Sequence, residues 1–239
     1  MAQAPVPLTH GTYDKLDPVA RLNGRVFDSD PIIAYMLLNM TRKQRLEYLP
    51  SYWSKLAKSA LMNNALITEA DGWKAASIVI PPGRYIDNVW TLVYSGFICV
   101  LWKIGFSGLK RLLTEFSGMT DKAKRKGLGG QKRYYYVFSI GTEYEHRGKG
   151  LAKTIMRYHQ EKAQSENLPI WLEATTESSR YLYLSIGFQE VEKITLGRGK
   201  VAADAALQPN GPGVTLYAMV WWPKSTNHDS EPASSSATP

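Results

Sequence analysis

EYEHRGKGLAKTIMRYH, residues 143–159, places Gly148 and Gly150 among basic side chains, between a strand-like run and a helix-like run. The preceding residues 133–142 (RYYYVFSIGT) are dense in aromatic and β-branched side chains, which favours a strand. A helix is predicted over about 149–166, because apolar or weakly polar residues fall four apart along one face. These residues are Leu151, Ile155, His159 and Ala163. Bare glycine amides before a helix start are suited to binding an anion.

Two nucleotide-binding motifs are absent from this loop. A Walker A loop needs G-x-x-x-x-G-K-[ST], but Gly148-Lys149 is followed by Gly150 and no glycine lies five positions earlier. A dinucleotide fingerprint needs G-x-G-x-x-G, and Lys153 stands where its third glycine belongs. Taken alone, the remaining G-x-G is also compatible with a tight turn that binds nothing.

A second motif downstream makes the pattern more specific. Residues 147–152 (RGKGLA) fit R/Q-x-x-G-x-G/A, and residues 182–188 (LYLSIGF) fit L-Y-x-x-x-G-F. In this order, about one helix and one strand apart, they resemble the GCN5-related N-acetyltransferase (GNAT) family, most closely fungal members of unassigned substrate. The resemblance covers roughly residues 64–222. It implies an α/β (α+β) fold with a mixed, mostly antiparallel sheet flanked by helices.

The resemblance also implies acetyl-CoA as a cosubstrate and no metal. The amides of residues 147–152 would bind the pyrophosphate, and the edge of the strand near its end would pair with the pantetheine arm. The family often has an asparagine seven residues before its tyrosine; here the nearby hydroxyls of Thr176 and Ser179 would have to replace it. The implied cofactor-binding residues are Ile140, Gly141, Thr142, Arg147, Gly148, Lys149, Gly150, Leu151, Ala152, Thr176 and Ser179.

Three residues are implied to be catalytic. Tyr183 occupies the family's general-acid position, where a phenol with a pKa near 10 can protonate a leaving thiolate. The alternative is that Tyr183 only packs in the core. Glu173 is the first candidate for the base and Glu143 the second, and departure of the proton through water is the alternative. A backbone amide on the strand would stabilise the oxyanion.

The sequence pattern outside the two motifs predicts a single domain over residues 13–223. Residues 14–61 are mostly helical, with Thr41 as an N-cap, and a hairpin with strands 65–69 and 73–80 follows. A helical insertion is expected over about 84–130. Residues 1–12 are predicted to be flexible and 224–239 to be a disordered tail.

Composition excludes several classes of protein. The single cysteine, Cys99, rules out an intrachain disulfide framework and fits a cytoplasmic location. The histidines show no metal-ligand spacing, and His146 and His159 are not expected to be catalytic. The net charge of +8 suggests an anionic ligand. The basic run 121–133 is predicted to be a solvated loop, and nucleic acid is not expected because no aromatics interleave with it.

Residues 93–106 (VYSGFICVLWKIGF) form the most apolar stretch. They are fewer than the roughly 18–20 residues that a membrane span needs. A buried or groove-lining helix is predicted, with a helix lying on a membrane surface as the alternative. Large aromatics are usually buried, so most of those in this region are expected in the core, and an acceptor pocket is the alternative. They are Trp73, Tyr85, Trp90, Tyr94 and Trp102.

These features together predict an N-acetyltransferase that moves acetyl directly from acetyl-CoA to a primary amine of a small molecule. Cys99 lies outside both motifs, so a covalent enzyme intermediate is not expected. The alternatives are a protein lysine or N-terminus as acceptor, and an inactive module that binds CoA. A basic nucleic-acid binder is a third reading. The sequence identifies neither the acceptor nor the oligomeric state.

Overall fold

One mixed sheet of seven strands organises the molecule, in the order β1-β2-β3-β4-β5-β7-β6. The computed structural model describes residues 6–85 and 89–224. Neighbouring strands are antiparallel except β4 and β5, which are parallel. The strands are Leu8–Gly11 (β1), Leu66–Ala70 (β2), Ala75–Ile80 (β3), Tyr135–Thr142 (β4), Ile170–Ala174 (β5), Gln189–Leu196 (β6) and Val214–Trp221 (β7).

Helices cover both faces of this sheet, which confirms the predicted fold class. Thr41 caps α3 in a capping box with Gln44, as predicted. A π-helical segment, Arg111–Ser117, joins α5 to α6. The helices are Leu16–Val26 (α1), Pro31–Met36 (α2), Arg42–Met62 (α3), Val89–Tyr94 (α4), Ile98–Lys110 (α5), Gly118–Leu128 (α6), Leu151–Ser165 (α7) and Glu177–Ser185 (α8).

The apolar side chains divide into layers on the two faces of the sheet. On one face, Met156 of α7 and Tyr183 of α8 pack with Leu172 and Met219 of the sheet. On the other face, α1 and α3 cover β2 and β3, while α6 covers β5, β6 and β7. Burial of each such large apolar side chain contributes about 1.5–3 kcal/mol. The layers hold the centre of the sheet rigidly.

Two expectations about local structure are wrong. Residues 8–11 are not flexible: they form β1, where the Thr9 hydroxyl donates to Glu69 (2.6 Å) in the next strand. The basic run is helical as far as Leu128, because α6 packs against the sheet. Gly127 permits this close approach, since a Cβ there would lie 2.6 Å from the Trp171 ring. The predicted C-terminal tail lies almost wholly outside the described residues.

Helices α4, α5 and α6 lie between β3 and β4, where the insertion was expected. Most of its aromatics are not in the core. Tyr85, Trp90, Tyr94 and Trp102 are all exposed, and only Trp73, in the β2–β3 hairpin, packs against the core. The inner face of α5 is already occupied by other apolar residues, so these rings point outward. Among the described residues, no helix is both long and apolar enough to cross a membrane.

Candidate active site

A gap between β4 and β5 defines the candidate site. The two strands pair in parallel at Tyr135–Ile170 and Tyr136–Trp171 and then separate, leaving the end of β4 without a partner on its β5 side. A bulge at Phe138 disturbs the β3–β4 ladder where this gap begins, because Val137 pairs with Val79 and Ser139 with Ile78. The predicted pantetheine-binding residues, 140–142, lie at this open edge. Backbone groups here can accept an added strand-like ligand.

The glycine loop lies beyond the end of β4. Gly148 and Gly150 have φ of 77° and 79°, which strongly favours glycine, and no atom lies within 4 Å of a Cβ built at either position. Thr154 N–H donates to Gly150 O (2.9 Å) in the first turn of α7, so the amides before it lack helical partners. The loop therefore offers uncovered amides at the positive end of a fifteen-residue helix, which fits a pyrophosphate.

The basic side chains of this loop lie against the protein. Arg147 stacks on Tyr144, 3.8 Å from the ring centroid, and donates to Thr142 O (3.3 Å). Lys149 Nζ lies 3.1 Å from His146 Nδ1. The Leu151 side chain is buried in the core, so only its backbone faces the loop. Arg147 thus ties the loop to the end of β4, and Lys149 adds positive charge beside it.

Tyr183 is buried on α8, with its ring 5.5 Å from that of Phe188. Burial raises the pKa of this phenol above its usual value of 10. Within the described part of the chain its hydroxyl has no hydrogen-bond partner. The ring therefore packs as a core residue while its hydroxyl keeps its proton and is uncommitted. Both predicted roles are compatible with this position.

Glu173 lies on β5 where the strands have separated, two residues past the last paired position. Its carboxylate accepts hydrogen bonds from Tyr136 Oη (2.8 Å) and Trp171 Nε1 (2.6 Å). Burial and the Glu173 charge raise the pKa of Tyr136 well above 10, so this donor stays protonated. Glu143, at the end of β4, instead forms an ion pair with Arg25 at the surface.

Sequence reasoning missed the loop of residues 27–30, between α1 and α2. Asp30 is buried, caps α2 through the amides of Ile32 and Ile33 (both 2.9 Å) and accepts a 2.5 Å hydrogen bond from Thr175 Oγ1. Burial raises the pKa of this carboxyl. The aspartate before Pro31 signals a helix cap in the sequence, but nothing there signals its partner Thr175.

The other end of this loop is tied to the opposite side of the gap. Tyr144 Oη donates to Asp28 Oδ1 (2.7 Å) and lies 2.8 Å from Ser29 Oγ. Tyr144 follows β4, whereas Thr175 follows β5. Residues 27–30 therefore bridge the two separating strands, which we call the bridging loop.

Comparison with known families decides the assignment. Residues 101–188, which include both strands of the gap, the glycine loop and α8, match the model of the acetyltransferase (GNAT) family. Over this segment the chain is similar to the GNAT family. It is 25% identical to an uncharacterized N-acetyltransferase of Schizosaccharomyces pombe, over 72% of this chain and 70% of that one. Over 37% of this chain and 38% of the relative, it is 34% identical to an uncharacterized protein of Saccharomyces cerevisiae. The family uses acetyl-CoA as its cosubstrate, and the chain is an N-acetyltransferase of this class.

Solved structures share this GNAT fold. One is a histone acetyltransferase HPA2 and related acetyltransferase from Corynebacterium glutamicum (TM-score 0.61, 14% identity, 93% of this chain and 99% of that one). Another is a Drosophila melanogaster polyamine N-acetyltransferase that forms N-acetylagmatine (TM-score 0.58, 14% identity, 91% and 99%). At these identities the likeness concerns the fold.

Two predicted cofactor residues already have partners in this GNAT domain. Thr176 is the N-cap of α8 and accepts from Ser179 N–H, while Ser179 Oγ accepts from Thr176 N–H. Their hydroxyls thus form a capping box. This cap fixes the start of the helix that bears Tyr183.

A carboxylate of the helical insertion holds the insertion against α2, next to the bridging loop. Glu115 accepts from Tyr35 Oη (2.6 Å) on α2 and from Gly197 N–H (3.3 Å) after β6, and pairs with Lys200 (3.5 Å). The segment between β6 and β7 packs on α2 through Val201. The insertion, α2 and the β6–β7 segment therefore form one connected cover on this face of the sheet.

The histidines stand apart from this chemistry. His159 is buried, with Nε2 2.9 Å from Ser77 Oγ, and burial lowers its pKa to about 3. It is therefore neutral and part of the core beneath α7. His146 is half-buried, just before the glycine loop. Among residues 6–85 and 89–224, no three His, Cys, Asp or Glu side chains are grouped as metal ligands.

Proposed function

We propose that this protein transfers the acetyl group of acetyl-CoA directly to a primary amine of a small molecule. The observation that carries the proposal is the bridging loop, fixed by Asp28 to Tyr144 and by Asp30 to Thr175 across the gap between the strands. A loop held on both sides would restrict the approach of an acceptor from the face opposite α7. A folded protein or an extended peptide needs an open groove, whereas a small amine does not.

Acetyl-CoA would be held by backbone groups. Its pyrophosphate would bind the amides of residues 147–152, with Lys149 adding charge, and its pantetheine arm would lie along residues 140–142 as an additional strand. Gly141 lets β4 lie close to α1, since a Cβ there would be 2.4 Å from Val26 Cγ2. In this pose the thioester comes to rest near the bulge at Phe138. An amide there would stabilise the oxyanion.

The reaction balances with two proton transfers. The neutral amine attacks the thioester carbonyl carbon, a C–N bond forms, and the C–S bond then breaks. The amine proton leaves to Glu173, directly or through water, and the departing thiolate takes a proton from Tyr183. Exclusion of water raises the basicity of the thiolate as it raises the pKa of the phenol, which keeps this transfer feasible. The products are an N-acetylated amine and CoA with a free thiol.

A panel of acceptors tests the proposal. Release of the CoA thiol would be followed with arylalkylamines, agmatine and polyamines, and with lysine peptides and peptide N-termini. The names of solved GNAT structures motivate the first group. We expect turnover of at least one small amine, and mass spectrometry to find one acetyl group on its nitrogen. Turnover on peptides alone would refute the small-molecule acceptor, and binding of acetyl-CoA without turnover of any amine would support an inactive module.

We place the reaction in the cytoplasm, because a lone exposed cysteine, Cys99, suits a reducing compartment.

A further inference from the structure

The outward side of α4 and α5 carries an apolar surface that the fold does not use. Its principal residues fall four apart in sequence, with breaks in the helical path at Gly96 (φ 80°) and Gly105 (φ 67°). The two most exposed side chains are Trp102 at 84% and Phe106 at 85%. We call this surface the outer face. It comprises Tyr94, Ile98, Trp102 and Phe106.

The opposite side of the same helices already supplies the core contacts. Phe97, Val100 and Ile104 are buried and pack with residues of α3, including Leu49 and Tyr52. Helix α5 is therefore apolar on both sides, although it lies at the surface. A helix that is apolar all round is ordinarily covered by protein or by lipid.

The segment that carries the outer face has charges of one sign. Residues 88–114 contain no Asp or Glu, while Lys103 and Lys110 both lie on α5. Lys55 borders the face from α3, with its Cε 3.9 Å from the position of a Cβ on Gly96. The whole chain adds a net charge of +8. Aromatic side chains rimmed by lysines are complementary to the headgroup boundary of an anionic lipid layer.

Helix length and charge favour a lipid surface over two other arrangements. Helix α5 has 13 residues and α4 has six, against the roughly 20 needed to span a bilayer. A second copy of the chain on the same face would bring Lys103 and Lys110 close to the like charges of its partner. A lipid surface with negative headgroups meets no such repulsion.

We propose that the outer face docks on an anionic phospholipid membrane. Trp102 and Phe106 enter the boundary between headgroups and acyl chains, while Lys103, Lys110 and Lys55 lie among the headgroups. The helices rest in the plane of the membrane and do not cross it. The inference is independent of the acceptor amine, because its test measures binding rather than turnover.

The intact chain would be sedimented with vesicles of phosphatidylcholine alone and with about one third phosphatidylserine. We expect binding to the anionic vesicles that weakens as salt is raised. Cys99, exposed on α5 and the only cysteine of the chain, allows an environment-sensitive dye to be placed beside the outer face. Its emission should shift to the blue when anionic vesicles are added. If the chain shows no vesicle binding and no shift in dye emission at low salt, the proposal is overturned.

Variants distinguish vesicle binding through the outer face from non-specific binding through other exposed apolar side chains. Trp102→Ser with Phe106→Ser should weaken vesicle binding about tenfold or more, because the inserted apolar area is lost. Tyr13→Ser with Leu207→Ser removes two exposed apolar side chains elsewhere and should leave binding unchanged. Lys103→Glu with Lys110→Glu should abolish the preference for anionic vesicles. All of these side chains are exposed, and thermal melting would verify that each variant is folded.

Two results would contradict docking on a membrane. One is vesicle binding by the Trp102→Ser, Phe106→Ser variant that equals that of the unmodified chain. The other is a dimer in lipid-free sedimentation that this variant loses, which would show that a second copy covers the outer face.

Discussion

Thr175 donates a 2.5 Å hydrogen bond to the buried carboxylate of Asp30, across 145 positions of sequence. Thr175 follows the last residue of β5, and Asp30 ends the bridging loop and caps α2. The contact thus couples the start of a helix to the opening between β4 and β5. Whatever amine enters this opening from the bridging-loop side passes a segment whose position depends on this bond.

Replacement of Thr175 by Val removes the donor and keeps the shape of the side chain. The free energy of unfolding should fall by about 1–3 kcal/mol, because a buried carboxylate loses a partner. Because the bridging loop then loses its contact with the end of β5, KM for the amine should also rise, while KM for acetyl-CoA stays unchanged. Urea denaturation and steady-state kinetics measure the two effects.

Thr9→Val is the matched control, since the Thr9 hydroxyl donates to the buried Glu69 (2.6 Å) on the edge strand β1. It should lower stability and leave both KM values unchanged. Equal changes in KM for the two variants would show that Thr175 acts on stability alone.

Asp30 also gives stability a dependence on pH. Burial raises its pKa in the folded state above the unfolded value of about 3.9. Between these two values the folded protein binds the proton more tightly, so the stabilisation from protonation is present at low pH and is lost as pH rises through the folded pKa. Asp30→Asn still offers an oxygen for the helix cap and has no such titration.

The stability of the unmodified chain relative to Asp30→Asn should therefore increase as pH falls from neutral. Denaturation curves of both proteins at several pH values measure this difference. A difference that is independent of pH, or that decreases on acidification, would contradict a raised pKa for Asp30.

The sequence predicted correctly those structural elements that depend on residues adjacent in the chain. The strand, glycine loop and helix around residues 143–159 follow from a few adjacent residues, and Thr41 was predicted correctly as a cap from its position alone. The Asp30–Thr175 bond has no such signal, because the two residues become neighbours only through the topology of the sheet. Strand β1 was missed because it is short and at an edge, and gains its order from pairing with β2.

The exposed rings of the outer face were missed for a different reason. Apolar residues at helical spacing predict that a helix packs, but not how many of its sides do so. The inner residues Val100 and Ile104 of α5, with Phe97 just before it, meet α3 and leave Trp102 and Phe106 outside. The count of apolar residues therefore overestimated how many are buried.

Gly150→Ala tests the glycine loop. With φ at 79°, an alanine there strains the backbone by about 1 kcal/mol or more, although no atom obstructs its Cβ. Any relaxation moves the amides at the start of α7, so the Kd for acetyl-CoA measured by calorimetry should rise.

Gly83→Ala is the matched control, because it carries the same strain at φ 78°, also without a clash, in the segment after β3. It should cost similar stability and leave the Kd unchanged; a similar rise in Kd would argue against a specific role for the glycine loop.

Glu173→Gln distinguishes a base from a packing residue. A base would be lost, so kcat should fall by about 10²-fold or more. The amide also replaces one of the oxygens that accept from Tyr136 and Trp171, which should cost about 1–3 kcal/mol of stability. Glu143→Gln should leave kcat unchanged because Glu143 is paired with Arg25 at the surface. A Glu173→Gln variant with lower stability but an unaltered kcat would limit Glu173 to positioning Tyr136.

Tyr183→Phe removes the hydroxyl proposed as the acid and keeps the ring that packs on Phe188. Stability should change little, because the hydroxyl has no partner among the described residues. The thiolate would then leave without a proton donor, so kcat should fall by about 10²-fold while the Kd for acetyl-CoA is retained. Burial keeps the phenol protonated well above neutral pH, so the unmodified chain should not lose activity through this group at pH 7 to 9. Stopped-flow measurement of thiol release checks the rate.

Tyr135→Phe is the matched control. The Tyr135 hydroxyl donates to Glu166 (2.7 Å) away from the gap, so this variant should lower stability slightly and leave kcat unchanged. An unchanged kcat in Tyr183→Phe would assign Tyr183 to the core and leave the proton to water.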